Sequence, residues 1–308
     1  MVTILLAAYN GEKYIAEQIE SILNQTYGNW KLIVQDDCSS DSTCEIVGKY
    51  VSRYPGRITL KRRTVPSGSA KDNFFSMLQY AGSEYTMTCD QDDVWLPDKI
   101  EITLDKMNKM EAEFGRSTPI LVHTDLKVTD ENLNVLSDSL VRYQKLDVNR
   151  VRLNNLLVQN VVTGCTMMIN RALINKLKVA PANVIMHDWW IALAASAFGQ
   201  IGYVDKPTVL YRQHEGNSVG AKDVNNILYR IGRVLNLNHI KQMLAATYDQ
   251  AEAFLHSYEE QLSKESKETI NAYLKIPNLN RIEKIKYISR YDFWKSGFFR
   301  RCGQIVIP

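Results

Sequence analysis

Val2 to Ala8 is an almost unbroken apolar run that halts at Tyr9-Asn10-Gly11. A run without polar alternation is what a strand buried on both faces requires. The same pattern recurs down the first half of the 308-residue chain. Ile15, Ile19, Ile22 and Leu23 carry the spacing of an amphipathic helix, and Leu32-Ile33-Val34 forms a second strand. A helix over 43–50, a short strand at Ile58-Thr59-Leu60, a helix over 71–81 and a strand over 85–89 follow. Strands alternating with helices predict an α/β fold with a mostly parallel central sheet flanked by helices. Later strands are expected at 120–123, 166–169 and 201–204, with a proline-marked turn at Lys206-Pro207. The polar and aliphatic stretch 138–158 is expected to cover the sheet's ligand end from the side. From Val224 the pattern is helical: Ile227, Ile231, Val234 and Leu235, then 244–262. The expected organisation is a catalytic domain over 1–220 and a C-terminal helical extension over 221–308.

Polar groups gather where the first, second and fourth strands end, at Tyr9-Asn10-Gly11, Gln35-Asp36-Asp37 and Asp90-Gln91-Asp92-Asp93. Open α/β sheets bind ligands at that edge. Carboxylates delivered to one small volume repel and raise one another's pKa, and a divalent cation relieves both effects. Oxygen ligands suit magnesium or manganese better than zinc. A solvated acidic turn is the competing reading. The preceding strand and Pro97, expected to open the next helix, favour the site. Neither G-x-G-x-x-G nor G-x-x-x-x-G-K-[ST] occurs, so a bound nucleotide would need its phosphates neutralised mainly by the metal. Asp36 is suited to accept the imide N–H of uracil or thymine. Its alternative is a cap or turn aspartate, the preferred reading for Asp37, Asp41 and Ser42. Tyr9 lies against a base or packs as an ordinary tyrosine.

A composition of 45% hydrophobic and 23% charged residues fits a globular protein, and a net charge of +3 without a recognition motif gives no case for nucleic acid. Cys38, Cys44, Cys89, Cys165 and Cys302 lack metal or redox spacing and read as free thiols of a cytoplasmic protein. The amino terminus has no basic leader, and no apolar stretch is long enough to cross a bilayer. From Ile276 onward seven Lys or Arg face two acids, with aromatic residues between them. That segment reads as a contact with the inner membrane face, as helices packed on the catalytic domain, or as a homodimer contact.

Ala7-Ala8-Tyr9-Asn10, Asp36-Asp37, residues 68–73 and Asp90-Gln91-Asp92-Asp93, in this order and on these strands, resemble family 2 glycosyltransferases of the GT-A nucleotide-diphospho-sugar transferase fold. The resemblance covers residues 1–220. Cys89 to Trp95 and His187-Asp188-Trp189-Trp190 are most similar to bacterial rhamnosyltransferases of cell-wall or capsular polysaccharide. The resemblance implies inverting, metal-dependent transfer of a sugar from a dTDP- or UDP-sugar to a glycan acceptor, with dTDP-rhamnose the preferred donor. Similar enzymes use lipid-linked acceptors. It implies that Ala7, Tyr9 and Asp36 border the nucleobase and that Lys71, where the family usually has arginine, meets base or phosphate. Asp90 and Gln91 would face the ribose and the metal's water shell, Asp92 would ligate the metal, and Asp93 would hold the loop. Asp188 would be the catalytic base, with helix capping as the alternative. Trp189 or Trp190 would stack on a sugar, the other being core, and His187 would touch the acceptor or be structural. Arg212 would reach the pyrophosphate, His214 would add a metal ligand, and Gly216 and Gly220 suggest a loop that orders on donor binding. Two rivals remain: a non-catalytic nucleotide-sugar or carbohydrate-binding module, and a sugar-phosphate nucleotidyltransferase. The second needs a basic, glycine-rich loop after the first strand, which Ala8-Tyr9-Asn10-Gly11 does not supply.

Overall fold

The computed structural model describes residues 1–177, 181, 183–214 and 237–306. The chain forms two compact units, one of Met1–Leu140, Thr163–Lys176 and Gln200–Ala221, the other of Val141–Val162, Leu177–Gly199 and Lys222–Pro308. The expected boundary at residue 220, the loop glycines Gly216 and Gly220, and the helical spacing of Ile227, Ile231, Val234 and Leu235 lie outside the described residues.

The first unit holds a sheet that has nine strands among the described residues. They are β1 (Val2–Ala8), β2 (Trp30–Asp36), β3 (Ile58–Arg62), β4 (Tyr85–Cys89), β5 (Val94–Trp95), β6 (Ile120–Thr129), β7 (Val135–Ser137), β8 (Met168–Asn170) and β9 (Gln200–Arg212). Their order is β3-β2-β1-β4-β8-β6-β9-β5, with β7 beside β6. The long pairings are parallel: β1 with β2 and β4, β2 with β3, and β6 with β9. β8 runs antiparallel between β4 and β6. β1 is the apolar centre of this sheet, with Val2, Ile4, Leu5 and Leu6 fully buried. Helix α1 (Ile15–Leu23) returns Ile15, Ile19 and Ile22 to the same core, as their spacing requires. α2 (Thr43–Arg53), α3 (Ala70–Met77) and α4 (Lys99–Phe114) complete the helices that frame the site.

Several local expectations shift. Residues 71–81 divide into α3 and a 3-10 turn at Leu78–Tyr80, and α3 starts at Ala70 because the Ser69 hydroxyl accepts the Asp72 N–H at 3.2 Å. Pro97 does not open α4, which begins at Lys99 after Asp98 at the N-cap; the preceding residues Val94–Trp95 instead pair with β9. Residues 166–169 give a 3-10 turn at Gly164–Thr166 and then β8. Lys206-Pro207 is not a turn. β9 continues through it, with Thr124 opposite Val204 but Asp125 opposite Pro207, so extra β9 residues bulge there. The extra residues are Asp205 and Lys206, and Pro207 re-enters the ladder opposite Asp125 beside the bulge, a place where proline is tolerated within a strand.

In the second unit, the short helices α5 (Leu140–Gln144) and α6 (Leu153–Leu156) precede α8 (His187–Phe198); α7 (Arg171–Ile174) belongs to the first unit. α9 (Leu237–Tyr258), α10 (Lys264–Lys275), α11 (Arg281–Arg290) and α12 (Phe298–Val306) follow. Trp190 is fully buried, edge-on to Phe254 at 5.2 Å, and Tyr273 packs on Phe293 at 5.1 Å. Part of the basic tail is structural: Arg300 donates to the Gln144 carbonyl at 2.7 Å, and Arg150 grips Asp292 at 3.1 Å. Among the described residues no helix is long and apolar enough to cross a membrane.

Candidate active site

The register sets the strand ends level, Ala8 opposite Asp36 on β2 and Leu6 opposite Cys89 on β4. The loop leaving β1 is clamped from both sides. Gln91 accepts the Tyr9 N–H at 2.8 Å and donates to the Tyr9 carbonyl at 2.9 Å, so its amide orders the loop. Gly11 makes room for it, since a Cβ there would stand 2.2 Å from Gln91 Oε1. On the other side Asn10, in the left-handed region at φ 47°, takes the Ser40 N–H at 2.9 Å, and Thr43 takes the Gly11 N–H at 2.7 Å. Asp41 accepts from the Glu12 N–H at 3.0 Å. Burial pushes Asp41 up, but the Thr43 hydroxyl and the Glu12 and Thr43 N–H groups together hold it below the usual carboxylate range. With its backbone fixed, Tyr9 leaves its side chain open, at 57% exposure.

Asp36 and Asp37 have opposite fates. Asp37 is spent on structure: its carboxylate accepts the Ser67 N–H at 2.7 Å and the Ser67 hydroxyl at 2.6 Å, and pairs with Arg63 at 3.1 Å. These bonds fix the segment leading to α3, whose first turn carries the half-buried Lys71. Asp36 is buried, its Oδ2 accepts the Ser39 N–H at 3.2 Å, and its Oδ1 accepts no hydrogen bond from any described residue. The Cys44 thiol lies beside it, pushed up by burial and by that carboxylate. A buried oxygen left this way is an acceptor awaiting a donor.

The acidic loop is framed by Arg212 at the end of β9. The buried guanidinium binds the Glu17 carboxylate and the Glu131 carbonyl, donates to the Asp92 carbonyl at 2.8 Å, and stacks 4.5 Å from the Tyr14 ring centre. The Arg212 N–H also meets Asp93 Oδ1 at 3.1 Å. Arg212, expected at a pyrophosphate, is thus engaged in holding the loop. Asp92 and His214, expected as metal ligands, are brought together, Oδ2 to Nε2 at 2.8 Å. Asp93 is fully buried, and burial together with Asp92 and Asp90 pushes it well above the usual carboxylate range. Ligand atoms of Asp90, Asp93 and Cys165 lie within 4.8 Å of one another. A carboxylate beside an imidazole is a donor pair that suits a hard divalent cation, and Asp92 and His214, like Asp90, are half-buried. Glu17, Glu131 and Thr43 went unread in the sequence, because their partners lie far along the chain.

The remaining candidates stand on α8 in the second unit. Asp188 is half-buried in its first turn, where Oδ1 accepts the Trp189 N–H at 2.6 Å. His187 is 3% exposed, and burial pushes its ring down to about 3. The Trp189 indole donates to the Leu156 carbonyl at 2.6 Å. Both tryptophans are buried, Trp189 at 9% exposure and Trp190 at 0%.

Residues 3–177 match glycosyl transferase family 2, and the chain belongs to that family. It is therefore a glycosyltransferase. It is 29% identical over 250 residues to the dTDP-rhamnosyl transferase RfbG of Shigella flexneri, covering 77% of this chain and 82% of that one. To the UDP-Glc:alpha-D-GlcNAc-diphosphoundecaprenol beta-1,3-glucosyltransferase WfgD of Escherichia coli it is 31% identical over 176 residues, 57% of this chain and 62% of that one. Among solved structures it is similar to S. aureus TarS 1-349 in complex with UDP-GlcNAc, with TM-score 0.61 and 18% identity over 94% of this chain and 72% of that chain. The mannosyltransferase PcManGT from Pyrobaculum calidifontis, in complex with GDP-Man and Mn2+, gives TM-score 0.53 and 17% identity over 94% of this chain and 84% of that chain. At such identities the likeness is one of fold, the GT-A fold with helices added at the carboxyl end.

Proposed function

We propose that the chain transfers L-rhamnose from dTDP-rhamnose, with inversion and with a divalent cation, to a glycan hydroxyl in bacterial cell-wall or capsular polysaccharide synthesis. The similarity to RfbG over 77% of the chain carries the choice of donor. The open acceptor oxygen of Asp36 supports a pyrimidine with an imide N–H, and the exposed Tyr9 ring, with Ala7 beside it, offers that base a face. Lys71 supplies positive charge on the α3 side, and Asp90, with Gln91 holding the loop, borders the ribose. A magnesium or manganese ion held by Asp92 and His214 would take up the negative charge that develops on the departing diphosphate. Asp188 removes the proton from the acceptor hydroxyl as that oxygen attacks the anomeric carbon. The bond to the diphosphate breaks on the opposite face, and its electron pair leaves with the nucleotide. His187 and Trp189 set the turn that presents Asp188 to the acceptor.

Peripheral contact with the inner face of the membrane is part of the same reading. Ile282 and Phe298 are 67% and 74% exposed, and Arg281, Lys286, Arg290 and Arg301 are exposed in the same segment. Sedimentation with anionic vesicles, lost in Phe298→Glu, would bear this out. A panel of nucleotide-sugars with and without manganese, read by thermal shift and by released nucleoside diphosphate, tests the main reading. Asp188→Asn should lower turnover about 10²–10⁴-fold and leave donor affinity nearly unchanged. Donor binding without release, in the wild type, would make the chain a binding module. Release of pyrophosphate would make it a nucleotidyltransferase, and no shift with any donor would sink the proposal.

A further inference from the structure

Asp188 stands on a helix whose start is held from outside. α8 follows Met186, whose side chain has no oxygen to cap the helix, and every residue from Trp189 to Ala195 is buried. Its place is therefore set by its neighbours. Two of them grip the chain on either side of Asp188. Three residues before it, the Ile185 N–H donates at 2.9 Å to Oε1 of Gln250, a side chain of α9 that is 1% exposed. One residue after it, the Trp189 indole donates to the carbonyl of Leu156 at the end of α6. Farther along α8, the Ser196 hydroxyl donates to the Val151 carbonyl at 2.8 Å.

Both grips are themselves anchored. α9 packs on α8 through Phe254 and Tyr258, fully buried against Trp190. α6 is tied to the end of the chain: Asn154 donates to the Tyr291 carbonyl at 2.8 Å, and Asn155 to the Asp292 carbonyl and carboxylate, each at 3.1 Å. An apolar residue at 250 would pack on this face without the desolvation that a buried amide costs, so packing alone does not explain Gln250. What the amide adds is direction, because a hydrogen bond fixes a height and an angle that apolar contact leaves free to slide. We propose that the carboxyl-terminal helices aim the catalytic base. Gln250 is a positioning residue that fixes the chain before Asp188, and α6, anchored at Asp292, fixes the residue after it. The inference rests on the reading of Asp188 as the base.

Gln250→Met keeps the length of the side chain and removes the acceptor. Amide exchange at Ile185 reads its effect without any turnover, and should quicken at least about tenfold. Release of dTDP from dTDP-rhamnose and manganese, with water in the acceptor's place, gives the kinetic reading. There Gln250→Met should lower kcat about ten- to a hundredfold and leave the donor KM within about twofold. Added to Asp188→Asn, it should cost nothing beyond the loss from Asp188→Asn alone. Tyr273→Phe, which removes the 2.7 Å hydroxyl bond to Thr247 on the same α9, should lose stability but neither kcat nor the protection of Ile185. Asp292→Gly accepts the backbone at φ 52° and strips the carboxylate from Arg150 and Asn155. It should lower kcat in the same manner, and it decides the matter if Gln250→Met does not fold. Additive losses in the double variant, an equal kcat loss in Tyr273→Phe, or unchanged exchange at Ile185 with a native-like melt each overturn the proposal. Full release by Asp188→Asn removes the base reading and this inference with it. A slow Asp188→Asn beside a wild-type-like Gln250→Met overturns this inference alone.

Discussion

Gly11 shows how a single hydrogen in place of a methyl group shapes the site. Gln91 reaches the Tyr9 backbone only across the space that a Cβ on Gly11 would fill, and the loss of both clamp bonds is the predicted effect of Gly11→Ala. Because Gln91 is a flexible side chain, it will swing away rather than force the fold apart. The expected cost is therefore about 1–2 kcal/mol, the worth of two partly solvated hydrogen bonds, together with weaker donor binding. Gln91→Ala should reproduce both effects, and the double variant should be no worse than Gln91→Ala alone, as measured by urea denaturation and donor titration. Additive losses would show that Gly11 acts through something other than Gln91.

Asp37 gives the corresponding argument for an element. A turn aspartate was expected there, and it is one, but the turn it builds delivers α3. Asp37→Ala removes the Ser67 and Arg63 contacts together, so the segment before Ser69 should loosen. Donor affinity is expected to fall about tenfold, and stability by about 1–3 kcal/mol, while Asp37→Asn, which still accepts from Ser67, should lie between. An unchanged donor Kd in Asp37→Ala would separate α3 from donor binding. The elements best legible in the sequence were those with a strong local signal. β1, β2 and β4 were visible as apolar runs, and α1 by its spacing, because burial on both faces or on one stripe leaves a periodic mark. β5 has two residues, too few to show a period, and the bulge at Pro207 hid the length of β9 because proline ordinarily ends a strand. In the site, the carboxylates at the strand ends were readable from strand grammar. The uses of Gln91 and Arg212 were not, since their partners are set by the folded sheet and not by neighbours in sequence.

Across the whole molecule two histidines buried among the described residues predict acid sensitivity in both units. Burial pushes His123, on β6, down to about 4 and His187, on α8, down to about 3, against an ordinary value of 6.5. Both are neutral when folded. Below pH 6.5 the unfolded chain takes up protons that the native state refuses, so stability falls with pH, until about pH 4 for His123 and about pH 3 for His187. By pH 5 each histidine should have cost roughly 2 kcal/mol relative to pH 7. Denaturation midpoints at the two pH values, compared with those of His123→Leu, measure this. An equal loss in that variant would mean that His123 contributes nothing to the acid limb. Arg212 carries a consequence of another kind. Its side chain joins Glu17, Asp92 and Glu131, which lie 195, 120 and 81 residues earlier in the chain. During synthesis the acidic loop therefore leaves the ribosome long before the staple that aims it, and the nascent chain must wait for β9 before the candidate site is assembled.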